Sequence, residues 1–345
     1  MEENRKTLKV YHGIIMLILS AVCVFFVSPI LGANLGLYGT LLNEILLLVL
    51  AVALTAVVRG DFKQVFPIHK PKLSAVFGTI LLWIGSFLAI MIITMIIAYF
   101  FPEEVIGVSQ GLGMEFASLT FIISFVIVSI SPAICEEAVF RGVVMHSFDN
   151  GKNKWIAIVV TGLIFGAFHG VVMHSFDNGK NKWIAIVVTG LIFGAFHGNI
   201  WRFVPTALLG IMLGYIVYET DNMIYGALFH AINNAMPLLS IFAMKSMYSN
   251  EMFQSQMSTM TDNGIPLISI GMYVMYGAAI PLLLTIGNYL IHKGTKHAKN
   301  SLFAKEERMK LVVLLLISGA FLVVGFFIII FSLLFDPSVL NSMMY

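Results

Sequence analysis

Long apolar runs separated by short polar breaks dominate the chain, at about 11–32, 38–58, 74–100, 116–131, 155–169, 183–197, 203–218, 223–243, 265–291 and 311–335. None shows the alternation of a strand. In lipid only helices or closed barrels satisfy their own backbone, so each run predicts a helix. The whole predicts an all-α polytopic transmembrane bundle. The first run follows Arg5, Lys6 and Lys9 and lacks a persuasive cleavage site, which predicts a retained first helix.

Composition agrees with the pattern. Hydrophobic residues make up 59% of 345 and charged residues 11%, against about 25% charged in soluble domains. The net charge of +2 says less than where the charges fall. The N-terminal stretch and the second loop (Arg59, Lys63, Lys70, Lys72) are basic, which predicts a cytoplasmic N-terminus in a multi-pass cell-membrane protein. The third loop carries Glu103, Glu104 and Glu115 without a basic residue and is expected outside. The segment 292–310, with Lys293, Lys296, Lys299, Lys305, Arg308 and Lys310, is expected in the cytoplasm. It reads as an orientation signal and a contact for anionic lipid, not as a nucleic-acid site. Two cysteines, Cys23 and Cys135, suggest neither a disulfide framework nor a zinc knuckle.

One feature disturbs the helix count. Residues 142–169 recur without a change as 170–197, a tandem duplication with no third copy. Each copy holds one apolar run of about 15 residues, short for spanning alone. With one copy, nine helices bring 292–310 to the cytoplasm; a tenth spanning helix would place it outside. The expectation is therefore about nine spanning helices plus one extra helix from the duplication, displaced from the native slot. His146 and His174, in the repeated loops, are expected to be solvated.

Three constellations carry candidate chemistry. Glu136-Glu137-x-x-x-Arg141 lies at the end of an apolar run, where each ionisable group costs roughly 2.5–3.5 kcal/mol to insert. If Pro132 only bends the helix, Glu137 and Arg141 pair along one face and Glu136 points about 100° away. Phe165-x-x-x-His169 is repeated as Phe193-x-x-x-His197. His230-x-x-x-Asn234 lies in the run that starts at Met223. In the last two, residues four apart share a helix face. Bland readings stand beside these: an ion pair at a helix end for the glutamates, packing or interfacial roles for single histidines, and small-hydrophobe packing for Cys135. Glu44, with Asn43, lies inside the second helix without a designated partner.

Together the three constellations resemble those of the CPBP intramembrane proteases, also called the CAAX-protease or Abi family. Their motifs are Glu-Glu-x-x-x-Arg, Phe-x-x-x-His and His-x-x-x-Asn/Asp. The resemblance covers roughly 116–240, so the chain divides into N-terminal helices (1–115), a catalytic core (116–240) and C-terminal helices (241–345). It implies that Glu136 and the second-motif histidine activate water, that Glu137 and Arg141 brace the site, and that His230 and Asn234 stabilise the oxyanion. The doubled second motif departs from the family pattern. Glu136 to His169 and His197 to His230 are both 33 residues, so either histidine fits. His197 is favoured, because the spare copy then becomes a cytoplasmic-side insertion after Arg141.

The residue types support hydrolysis without the family name. Peptide cleavage needs a base for water, a proton donor for the leaving amine and donors for the oxyanion. A carboxyl group in an apolar site suits proton shuttling, and an imidazole and an amide can donate hydrogen bonds. A zinc set of Glu136, His230 and His197 or His169 competes. Asn234 is a poor zinc ligand and no His-Glu-x-x-His helix is present, so no cofactor is favoured. The expected partners are membrane lipids and a peptide or membrane-protein substrate. A non-catalytic scaffold or bacteriocin-immunity protein is the alternative. A proton-coupled transporter comes third, because no inverted repeat is visible.

Overall fold

The structure is a computed structural model that describes residues 8–116, 118–149, 182–247, 265–293, 302 and 308–335. The helix expected over 155–169, with His169, His174 and most of 292–310, lies outside the described residues. Among the described residues, besides the single turn Phe62–Val65, ten longer helices follow in order: α1 Val10–Leu35, α2 Leu37–Val57, α3 Leu73–Phe100, α4 Pro102–Phe116, α5 Phe121–Phe148, α6 Lys182–Phe196, α7 Ile200–Thr220, α8 Met223–Met247, α9 Leu267–His292 and α10 Arg308–Phe335. Among the described residues there is no strand. The chain is an all-α polytopic membrane bundle.

Eight of the ten are long and apolar enough to cross a membrane. The ninth expected crossing falls on α6. Its 15 residues rise about 22 Å, against roughly 30 Å of hydrocarbon. Two other expectations change. The acidic third loop is instead α4, which begins at Pro102 with Glu103 and Glu104 in its first turn, where the amide ends favour negative charge. The run expected over 116–131 is only the first half of α5, which continues through the glutamates to Phe148. His146, expected in a solvated loop, therefore lies half-buried on that helix.

α5 is not a regular α-helix with a bend at Pro132. Two π-helical stretches, Val126–Ile130 and Ala138–Val144, flank seven α-helical residues, Ser131–Glu137. Pro132 opens that short stretch, at a position where its missing N–H interrupts the ladder least. Wide turns of this kind re-aim the side chains on either side and often mark functional sites.

The described residues form two compact units, one from the segments up to Pro71 and Leu119–Ala235, the other from Lys72–Ser118 and Met236 onward. In the first unit α5 is the buried element. Half of its apolar window is covered, against 6% for α10 of the second unit, whose side chains mostly face outward as lipid-facing residues do. α1 and α2 pack against α5. α6 and α7 form a hairpin held close by small residues: a Cβ on Gly210 would stand 2.8 Å from the Gly190 Cα, and one on Gly194 2.8 Å from the Ala207 Cβ. The turn between them uses Gly198 at φ +63°, and Asn199 caps α7 by accepting from the N–H groups of Trp201 and Arg202 at 2.9 and 3.3 Å. The loop after α2 docks on the turn before α8. Asn222 donates to the His69 carbonyl at 2.9 Å and accepts from its N–H at 3.3 Å, while the Met223 N–H donates to the Pro67 carbonyl at 2.8 Å.

The second unit repeats the small-residue device. Gly78 meets Gly287 between α3 and α9, and Gly271 meets Gly325 between α9 and α10. Ile92, Ile270, Val274 and Ile280 form its buried apolar cluster.

Candidate active site

Arg141 anchors the polar interior of the first unit. Its side chain is fully buried and its Nη1 donates to Glu137 Oε1 at 2.8 Å, the i,i+4 pairing expected from the sequence. Nη2 donates to the Gly210 carbonyl at 3.0 Å, which ties α5 to α7. The guanidinium also lies 4.5 Å from the centroid of Phe193. An isolated buried charge is strongly unfavourable, so this cation is kept by a carboxylate, a carbonyl and an aromatic face together.

Glu137 serves two partners through one oxygen. Its Oε1 also accepts from His230 Nδ1 at 3.2 Å. That bond fixes the imidazole so that Nε2 points towards Glu136, 3.9 Å from its Oε2. Glu136 is the more open of the two acids, with 18% of its side chain exposed against 1% for Glu137. Glu137 holds the frame, and Glu136, one residue before it, is the partly exposed acid.

Phe193 joins the second motif to the others. Its ring packs edge-on to His230 at 5.6 Å and to Phe140 at 5.2 Å, and it lies 4.8 Å from the His197 ring. His197 Nδ1–H donates to the Phe193 carbonyl at 2.8 Å, which leaves Nε2 as the hydrogen-bond acceptor. His197 lies beyond the end of α6, outside the eight spans. Burial first, and then the charges of Arg202, His230 and Arg141, push its pKa down to about 4 against a stabilising bond from Phe193, so the ring is neutral at working pH.

Asn234 lies one turn beyond His230, and its amide donates to the Val128 carbonyl at 3.2 Å. Val128 belongs to the π-helical stretch Val126–Ile130, so the side chain of α8 joins α5 where its ladder is irregular. Ser129 donates to the Ala231 carbonyl at 2.7 Å and closes the same seam.

Of the residues expected at the site, the fold gathers Glu136, Glu137, Arg141 and His230 into one network. His197 joins it through Phe193, and Asn234 through α5. His169 lies outside the described residues. Among the described residues no group of three or more His, Cys, Asp or Glu side chains is disposed to hold a metal ion.

The sequence reading missed two residues. Gly226 leaves room for Glu137: a Cβ there would stand 2.8 Å from Glu137 Oε2 and 2.6 Å from a Val217 methyl. Its signal was a glycine one turn before His230 on the same face. Arg202, half-buried at the start of α7, acts by charge on both Glu136 and His197. Only its place five residues after the second motif could have drawn notice.

A protein-family model described as type II CAAX prenyl endopeptidase Rce1-like matches residues 118–176 and again 167–236. Each match includes one copy of the Phe-x-x-x-His motif, and together they cover about a third of the chain. No curated protein and no solved structure gives a significant match.

Proposed function

The chain belongs to the CPBP (CAAX-protease) family through residues 118–236, and from that premise we propose that it is an intramembrane endopeptidase driven by Glu136. The observation that carries the reading is the buried arrangement in which Glu137 and Arg141 hold His230 between two glutamates, 3.2 Å from one and 3.9 Å from the other. A structural ion pair needs Glu137 and Arg141 alone. It does not need a second glutamate or a second histidine in the same apolar interior.

In the proposed reaction, water gives a proton to the Glu136 carboxylate as its oxygen bonds the scissile carbonyl carbon. His197 Nε2, neutral and unprotonated, accepts the water's other hydrogen bond. His230 in its imidazolium form, with Nδ1–H held by Glu137 and Nε2–H left to donate, binds the oxyanion together with the Asn234 amide once released from Val128. Glu136 then passes its proton to the leaving nitrogen as the C–N bond breaks. The substrate is a peptide bond near or within the membrane. His197 is the working imidazole.

The basic residues Lys9, Arg59, Lys63, Lys70 and Lys72 support a cytoplasmic N-terminus in the cell membrane. The docking of His69 on Asn222 supports the count of crossings rather than their direction. It holds the basic loop and the end of α7 on one side, as nine alternating crossings require when α6 counts as a short one.

Glu136→Gln (E136Q) tests the reading: reconstituted chain should lose cleavage of a membrane-anchored peptide reporter while keeping its melting temperature. Undiminished cleavage would remove Glu136 from the mechanism. The duplication inside the core favours a second reading, a non-catalytic scaffold that retains the fold. Under it, E136Q leaves the cellular phenotype intact. Deleting either copy yields the same shorter chain, with a 33-residue spacing on both sides of its single second-motif histidine.

A further inference from the structure

Glu44 is an ionisable side chain that neither the motifs nor the matched segment include. It lies within α2, an apolar span, with 6% of its surface exposed, and the neighbouring Asn43 is 4% exposed. Among the described residues, Glu44 Oε2 and Asn43 Oδ1 are buried without a hydrogen-bond partner. Buried polar atoms in native proteins are nearly always satisfied, so unpartnered ones call for an explanation. In an apolar span the demand is stronger, because an ionisable residue there is expensive and normally serves function.

The surroundings point to one. α2 packs directly against the Ser131–Glu137 stretch of α5 that carries Glu136. The charge of Glu44 acts on Glu136 and on Cys135. Glu136 Oε2, the oxygen facing His230, is itself buried without a hydrogen-bond partner. Unmet polar atoms therefore stand on both sides of the α2–α5 seam. A buried water typically makes about three hydrogen bonds to such atoms. Hydrolysis inside a membrane also consumes one water per bond cleaved, in a region that excludes it.

We propose that Glu44, with Asn43 beside it, is a positioning residue that holds hydrolytic water across the seam from Glu136. The proposal rests on the proteolytic reading above. Glu44 is not consumed: it accepts a hydrogen bond from water whose proton goes to Glu136 and then to the leaving nitrogen. Its distinct contribution is a water site built on a helix outside the motif-bearing segment.

The test uses the full chain in lipid nanodiscs, with two substitutions at one position. E44M removes the polar group at similar volume, and E44Q keeps hydrogen bonding. E44M should lower kcat for a fluorogenic membrane peptide by about 10- to 100-fold, with KM nearly unchanged, and E44Q should retain part of the lost rate. A packing role would not separate the two, since methionine suits an apolar span at least as well as glutamine. The second measurement is independent of cleavage. The infrared band of the Glu44 carboxyl group, identified as the one missing in E44Q, should shift in E136Q if both acids hydrogen-bond to common water. Wild-type kcat in E44M, or a Glu44 band unmoved by E136Q, overturns the proposal. If the wild-type chain cleaves no peptide, the proteolytic reading fails, while the infrared coupling still decides whether Glu44 and Glu136 share water.

Discussion

Replacing Arg141 with methionine tests the frame of the site most directly. The substitution removes a fully buried cation that donates to Glu137 at 2.8 Å and to the Gly210 carbonyl at 3.0 Å and lies 4.5 Å from the Phe193 ring centroid. Breaking a buried pair by removing one partner costs about 3–5 kcal/mol, because the remaining charge is left uncompensated. The carbonyl bond and the aromatic contact are lost with the same group, so their effects are not added to that figure. R141M should therefore unfold about 3–5 kcal/mol more readily in a detergent-titrated unfolding assay. Replacing both partners with apolar residues is often neutral, so E137M/R141M should recover most of the loss. It should not recover cleavage, because His230 loses the carboxylate that fixes its Nδ1. An R141M chain as stable as wild type, or a double variant destabilised by the sum of the singles, would refute a charge pair that frames the site.

Other predictions concern the helices around that frame. G226A should lower both stability and cleavage, at a cost of about 1–3 kcal/mol. Its Cβ would crowd Glu137 Oε2 at 2.8 Å, and thermal melts beside turnover assays would check it. N234L should cost about 1–3 kcal/mol by leaving the Val128 carbonyl without its donor. The depressed pKa of His197 gives a pH signature. Its ring is neutral in the fold down to about pH 4, whereas in the unfolded chain it takes a proton near 6.5. This contribution is fully present above about pH 6.5 and is lost as pH falls towards 4, about 3 kcal/mol in all. H197Q should flatten that part of the stability–pH curve, and an unchanged slope would count against a buried neutral ring.

Much of this protein could be read directly from its sequence, because lipid leaves a chain few options. An apolar run of about 20 residues must satisfy its own backbone, so helices at Val10–Leu35, Leu37–Val57 and Met223–Met247 follow from hydropathy alone. The pairing of Glu137 with Arg141 was legible for a similar reason: helical spacing fixes neighbours four residues apart. The acidic stretch before α5 misled, because Glu103 and Glu104 read as loop charge yet also suit the first turn of a helix. The course of α5 past Pro132 was hidden as well, since a proline ends some helices and opens new stretches of others, and π turns leave no hydropathy signature.

What the tertiary structure alone decided are the contacts between residues far apart in sequence. A single sequence records which residue types are present and how they are spaced along one helix. It does not record which helix lies opposite. Packing brought His230 to Glu137 across 93 positions and the Gly210 carbonyl to Arg141 across 69. It seated Asn234 on the Val128 carbonyl and made Phe193 the surface on which three motifs meet. It also packed the helix of Glu44 against the stretch of α5 that carries the glutamates, although that helix carries no motif. Spacing along a helix is set by local geometry, whereas an apolar face packs against any complementary neighbour. Only the assembled bundle selects which neighbour that is.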